Sequence, residues 1–156
     1  MKKIIVLSVL LFASCIIVNA QNDEKEKDAI KKVIQSAYID GLINDGDEKA
    51  VSNGFHPGFS LIGIGQGNSM WNYPIYNWIE NMKIDKKNGK LPKKDEDRVS
   101  IKFLYVDVSG TAASAKIEFY VGKELKYIDY LSLYKFEEGW KIVGKIFYEF
   151  PAEKKK

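Results

Sequence analysis

Cysteine is nearly absent from this chain: Cys15 is the only one in 156 residues, and it lies inside an N-terminal apolar run. A single thiol closes no intramolecular disulfide. Histidine is equally scarce, with His56 alone, so the His and Cys ligands of a transition-metal centre are missing and no metal is expected. An excess of one charge sign is lacking too. The 24 basic and 21 acidic residues leave a formal +3, too little for the electrostatic footprint of a nucleic-acid binder. Beyond the N-terminus no apolar run reaches the roughly 20 residues of a transmembrane helix. No serine stands in a nucleophile elbow. Gly63, Gly65 and Gly67 have neither the spacing nor the βαβ context of a dinucleotide fingerprint, and no cofactor is expected.

What is present begins with an export signal. Lys2 and Lys3 precede an apolar stretch from Ile4 to Val18; Val18-Asn19-Ala20 follows, and charge appears at once from Asp23. Basic, apolar, small, polar is the order of a secretory signal peptide, with cleavage expected between Ala20 and Gln21. Phe12-Ala13-Ser14-Cys15 is the alternative, a lipoprotein box acylated at Cys15. Against it, Phe12 stands where Leu is usual and residues 16–18 stay apolar. Loss of residues 1–20 removes Lys2 and Lys3 and lowers the formal charge from +3 to +1. Residues 21–151 then form one domain, large enough for a core without covalent staples, and 152–156 a charged tail.

Helical periodicity comes first. Ile30, Val33, Ile34, Ala37 and Gly41 mark one face of a helix from Asp23 to Asn44, with Tyr38 and Leu42 on its flank. Asp47 caps a short second helix, Glu48 to Ser52. Phe55 to Gly58 reads as a turn and Phe59 to Ile64 as a strand. Pro74 opens a third helix, Ile75 to Met82, before a polar loop from Lys83 to Asp97. Period-two alternation then dominates: Val99, Ile101, Phe103 and Tyr105; Ala113 to Val121; Tyr127 to Phe136; Trp140 to Phe150. Helices followed by a strand meander indicate an α+β protein with an antiparallel sheet buried on one face. Long strands twist and coil, so a helix across the concave face encloses a cone with an apolar interior, the usual place for a small-molecule pocket.

Tyr38-Ile39-Asp40-Gly41-Leu42, Asn44-Asp45-Gly46-Asp47 and Phe55-His56-Pro57 resemble the N-terminal signature of the nuclear transport factor 2-like superfamily, and most nearly its bacterial Putative lumazine-binding group. Residues Tyr127 to Lys135, with Gly139 to Val143 and Lys145, are similar to that group's last two strands. The resemblance implies a cone fold with N-terminal helices packed on a strongly curved antiparallel sheet. It does not imply one activity, because the superfamily holds isomerases, dehydratases, cyclases, adaptors and domains without known activity.

Asp129 is the sharpest candidate for chemistry. If Tyr127, Asp129, Leu131 and Leu133 face the cone, a carboxylate lies among apolar groups and suits acid or base work, as pocket carboxylates do in the isomerase and dehydratase relatives. If Ile128, Tyr130, Ser132, Tyr134 and Phe136 face inward, Asp129 is solvated. A third arrangement keeps it inside, paired with Lys145 or Tyr38. His56 is either a proton partner to Asp129 or Asp40, or a structural hydrogen-bonder before Pro57. Tyr38 either donates to a developing oxyanion or is core with a satisfied hydroxyl, and Asp40 falls on the solvated side of its helix. Trp71, Tyr73, Tyr76 and Trp78 form either an aromatic pocket wall or the packing of the third helix. Lys86, Lys87, Lys90, Lys93 and Lys94 are offset by Asp85, Asp95, Glu96 and Asp97 and read as a solvated loop.

The leading expectation is therefore an exported small-molecule-binding cone domain with its pocket around Asp129, lined by Tyr38, Trp71, Tyr76, Trp78 and Tyr127, for a small apolar or aromatic ligand. Two alternatives stand beside it. One is a cofactor-free isomerase, dehydratase or cyclase using Asp129 and His56. The other is a homodimeric interaction module using outward tyrosines such as Tyr120, Tyr130 and Tyr134.

Overall fold

The structure, a computed structural model, describes residues 23–151. The expected signal peptide, Cys15 and the tail 152–156 lie outside the described residues. Helix α1 occupies residues 23–45, α-helical over 23–33 and π-helical over Ile34–Asp45. The π segment buries Ile34, Ala37, Tyr38, Ile39, Gly41, Leu42 and Asn44, a broader face than the stripe read from periodicity. Gly46 ends it in the left-handed conformation, φ 68°, which costs glycine no Cβ clash. Helix α2, Glu48–Gly54, starts at Asp47, whose side chain accepts from the backbone N–H groups of Lys49 and Ala50. A Cβ on Gly54 would meet Ala37 Cβ at 2.2 Å, so a bare backbone here lets α2 lie against α1.

Among the described residues six strands form one sheet: β1 (Phe55–Ile64), β2 (Met70–Pro74), β3 (Val99–Ser109), β4 (Ala112–Val121), β5 (Glu124–Phe136) and β6 (Gly139–Glu149). Their order is β2-β1-β6-β5-β4-β3. Every pairing is antiparallel except β1 with β6. Helix α3 covers Ile75–Lys87. Among the described residues no helix is long and apolar enough to cross a membrane.

Several boundaries differ from those read in the sequence. Residues 55–58 belong to β1, not to a turn, because Phe55 pairs with Ile142 ahead of a register shift before Ser60. Residues 70–74 form a strand that periodicity did not mark; it pairs with β1 through Tyr73 and Leu61. Helix α3 runs five residues past Met82, to Lys87, which shortens the expected loop. Along β3 the register slips between Phe103 and Tyr105. Val106 and Val108 thereby turn to the core, whereas Tyr105 is 46% exposed. A bulge inserts one residue and exchanges the two faces beyond it.

The core lies between α1, α3 and the concave sheet face, where Ala115, Ile117, Phe119, Leu131, Leu133, Trp140 and Ile142 are buried. Asn44 ties the end of α1 to the edge strand: its amide donates to Val99 O at 3.0 Å and its oxygen accepts from Val99 N at 2.9 Å. Asn44 is itself buried. Asn44→Ala leaves both Val99 groups short of partners in a dry site. Urea denaturation should show a loss of about 1–3 kcal/mol; an unchanged midpoint would mean that water replaces the amide.

Candidate functional site

Three buried side chains meet beneath α1. The alternation of β5 places Asp129 between Tyr127 and Leu131 on the concave face, with 0% exposure. Lys145 reaches the same place because β6 is bulged. Leu133 pairs with Ile142 and Ser132 with Gly144, which leaves Val143 as the extra residue. Without that residue the phase of Trp140 and Ile142 would continue to Gly144 and Ile146. With it, Lys145 and Phe147 turn inward. Tyr38 descends from the π segment, so that each of three elements supplies one group.

The contacts are short and mutual. Lys145 Nζ lies 2.8 Å from Asp129 Oδ2 and donates to the Tyr38 hydroxyl at 2.7 Å. That hydroxyl donates to Asp129 Oδ2 at 2.8 Å. Four rings surround the ammonium, with centroids at 4.9 Å (Tyr38), 5.3 Å (Phe147), 5.8 Å (Trp78) and 6.0 Å (Phe119). Their quadrupoles recover part of the hydration that the cation has lost. Burial pushes the Lys145 amine below its ordinary value, against the attraction of Asp129. Burial first, and then the neighbouring Asp129, hold the Tyr38 hydroxyl well above its ordinary value, so it stays protonated and donates. Among the described residues no group donates a hydrogen bond to Asp129 Oδ1.

The cluster floors a cavity of about 380 Å³. Tyr38 and Ile43 of α1, Trp78 of α3, Leu61 of β1, Phe119 and Val121 of β4, Tyr127 of β5 and Lys145 and Phe147 of β6 line it, with Lys93 and Glu149. The Tyr127 hydroxyl donates to Glu149 at 3.3 Å. Asp129 is not part of the wall; it stands behind Lys145 and Tyr38. An ammonium has three N–H donors. Tyr38 and Asp129 take two, and among the described residues no group accepts from the third. Lys145 can therefore offer a hydrogen bond to a molecule in the cavity.

Comparison with known proteins is consistent with this architecture. The family model described as Putative lumazine-binding matches residues 25–148. The chain belongs to that family. Its fold is nuclear transport factor 2-like. A protein of that fold and of unknown function from Shewanella baltica OS155 is 25% identical, with a TM-score of 0.64 over 82% of this chain and 96% of that one. Another from Methylobacillus flagellatus KT is also 25% identical, with a TM-score of 0.58 over 80% and 91%. A third, from Silicibacter pomeroyi DSS-3, shares the fold at 17% identity, with a TM-score of 0.65 over 81% and 98%. No curated protein matches the chain.

Within this lumazine-binding-family domain, Tyr38, Trp78 and Tyr127 line the cavity and Asp129 adjoins it through Tyr38 and Lys145. His56 does not join them. Its ring stacks on Phe136 at 4.8 Å and its Nδ1 accepts from Gly58 N–H. Phe136 ends β5, roughly 20 Å of strand from Asp129, so no His56–Asp129 dyad forms. Tyr76 is 62% exposed and borders a separate groove with Phe55 and Ile79. Trp71 lies beside the cavity, not in its wall: its ring covers Gly63, where a Cβ would collide with it, and its centroid is 6.1 Å from that of Phe147. Asp40 accepts from Gln35 and takes no part. Sequence reasoning missed Phe119, Phe147 and Lys93 as lining residues, and named Lys145 only as a possible partner for Asp129. Phe147 and Lys145 depend on the β6 bulge, which leaves no mark in composition.

An ion pair this dry is costly to break from one side. Lys145→Met or Asp129→Leu alone should lower the unfolding free energy by about 3–5 kcal/mol. The double substitution should recover most of that loss in the same denaturant titration. Single variants indistinguishable from wild type would show that the pair is solvated.

Proposed function

We propose that this is an exported domain that binds a small planar aromatic molecule, with Lys145 donating to a carbonyl or anionic oxygen of the ligand. One observation carries this reading: an aromatic cavity with the buried Lys145 ammonium in its floor, one of whose donors meets no acceptor among the described residues. The volume, about 380 Å³, falls in the usual range for small-molecule sites, roughly 300–1,000 Å³. Trp78, Phe119, Tyr127 and Phe147 supply faces and edges for stacking. Lumazine, the molecule in the family's name, has the right chemistry: a flat bicycle with ring carbonyls. Burial of a carbonyl against Lys145 replaces its water hydrogen bond with a charge-assisted one.

Lumazine titrated into the protein by calorimetry should bind at one site per chain. Trp78→Ala and Lys145→Met should each weaken binding about tenfold, close to 1.4 kcal/mol. Absence of saturable heat, or affinity unchanged in both variants, would overturn the proposal for this ligand. Export is tested by expression with the native leader: mass spectrometry should find a chain beginning at Gln21, and an acylated Cys15 would place the cleavage elsewhere.

A second reading concerns assembly and can coexist with the first. On the outer sheet face Tyr130, Tyr134, Ile146 and Tyr148 are 38%, 52%, 54% and 55% exposed, and Tyr130 pairs directly with Ile146. Exposed apolar side chains gathered on one sheet face favour a homodimer through that face. Light scattering should give twice the chain mass for wild type and a single chain mass for Ile146→Lys. A wild-type monomer at all accessible concentrations would sink this reading.

A further inference from the structure

We infer that Lys145 is a nucleophilic amine that captures an aldehyde or conjugated ketone in the cavity as an imine, a reading that rests on the pocket proposed above. Most lysines of the chain carry solvated ammonium groups, which are unreactive towards carbonyls. Lys145 stands apart because three features coincide in it. Its side chain is 6% exposed. It nevertheless lines the cavity. A proton acceptor, Asp129 Oδ2, stands 2.8 Å from its nitrogen.

Each group needed for the reaction is in place. The ammonium first gives a proton to Asp129. The freed lone pair attacks the carbonyl carbon, and the carbonyl π electrons move to oxygen. That oxygen receives the first proton through the Tyr38 hydroxyl, which is hydrogen-bonded to both Lys145 and Asp129. A second nitrogen-bound proton follows the same route as the carbinolamine C–O bond breaks and the C=N bond forms. Two of the three ammonium protons leave with the carbonyl oxygen as water. The product iminium keeps the positive charge, which faces Asp129 and the aromatic rings as the ammonium did. No oxidant, reductant or metal is consumed. Burial supports the first step by favouring the neutral amine, and the flat walls favour a planar conjugated carbonyl over an aliphatic one.

The test incubates the full chain with 2-naphthaldehyde and sodium cyanoborohydride at neutral pH and maps the reduced adduct by peptide mass spectrometry. Lys145 should be modified at least tenfold faster than any exposed lysine, and 2-naphthamide, which cannot form an imine, should protect it. Lys145→Arg should abolish the fast adduct; the wild-type peptide map decides the matter even if that variant folds poorly. Calorimetry with 2-naphthamide separates the two levels. If the amide binds while label spreads over exposed lysines such as Lys102 without preference for Lys145, the covalent reading falls and the pocket survives. If the amide does not bind and Lys145 is not labelled, both fall.

Discussion

The site depends on one interaction, the contact of Lys145 with Asp129 in an apolar interior. Two opposite charges removed from water lose more hydration than simple attraction restores, unless further hydrogen bonds and packing compensate. Here Tyr38 supplies a hydroxyl to both partners, and four aromatic rings close over the ammonium. The pair is correspondingly sensitive to position. It requires the concave phase of β5, the bulged phase of β6 and the depth to which α1 carries Tyr38.

Those requirements connect the fold to the pocket. Register shifts interrupt the pairing of β3 with β4, β4 with β5, and β5 with β6. Bulges bend the strand that carries them and strengthen its twist, so the sheet curls and cannot lie flat against α1. The interior is filled at one end, where Leu131, Leu133, Trp140 and Ile142 pack against the helix. It stays hollow at the other, beyond Asp129, where Tyr127, Phe147 and Glu149 border the cavity. A charged pair at the junction prevents the apolar core from simply extending into the hollow, because collapse onto it would leave the ions without compensating contacts.

Some of this was legible in the amino-acid order. Alternation from Tyr127 to Leu133 left two phases for Asp129, and the apolar character of Leu131 and Leu133 agrees with the phase the structure adopts. The periodicity of Ile30, Ile34 and Ala37 located α1 and its inner face, and Asp47 announced the start of α2. The assignments of His56 and Tyr76 to the site rested on residue type alone, and neither residue reaches the cavity. A titratable ring or a phenol carries no information about which way its strand or helix is turned. Lys145 shows the converse. Alternation left it as one of two inside partners for Asp129, and only the bulge at Val143 turns it to the cavity.

The amino-acid order carries the class of the fold, because the spacing of apolar residues follows a helical period in the first part of the chain and a strand period in the second. The chain's aromatic content, with nine tyrosines, eight phenylalanines and three tryptophans, is enough to line a pocket as well as fill a core. Which side chains meet is a property of the folded chain alone. Bulges and register are settled by the joint packing of strands distant in the chain. A shift of one residue in β6 exchanges Lys145 for Ile146 at the cavity floor at almost no local backbone cost, and only the partners waiting there, Asp129 and Tyr38, make one choice far better than the other.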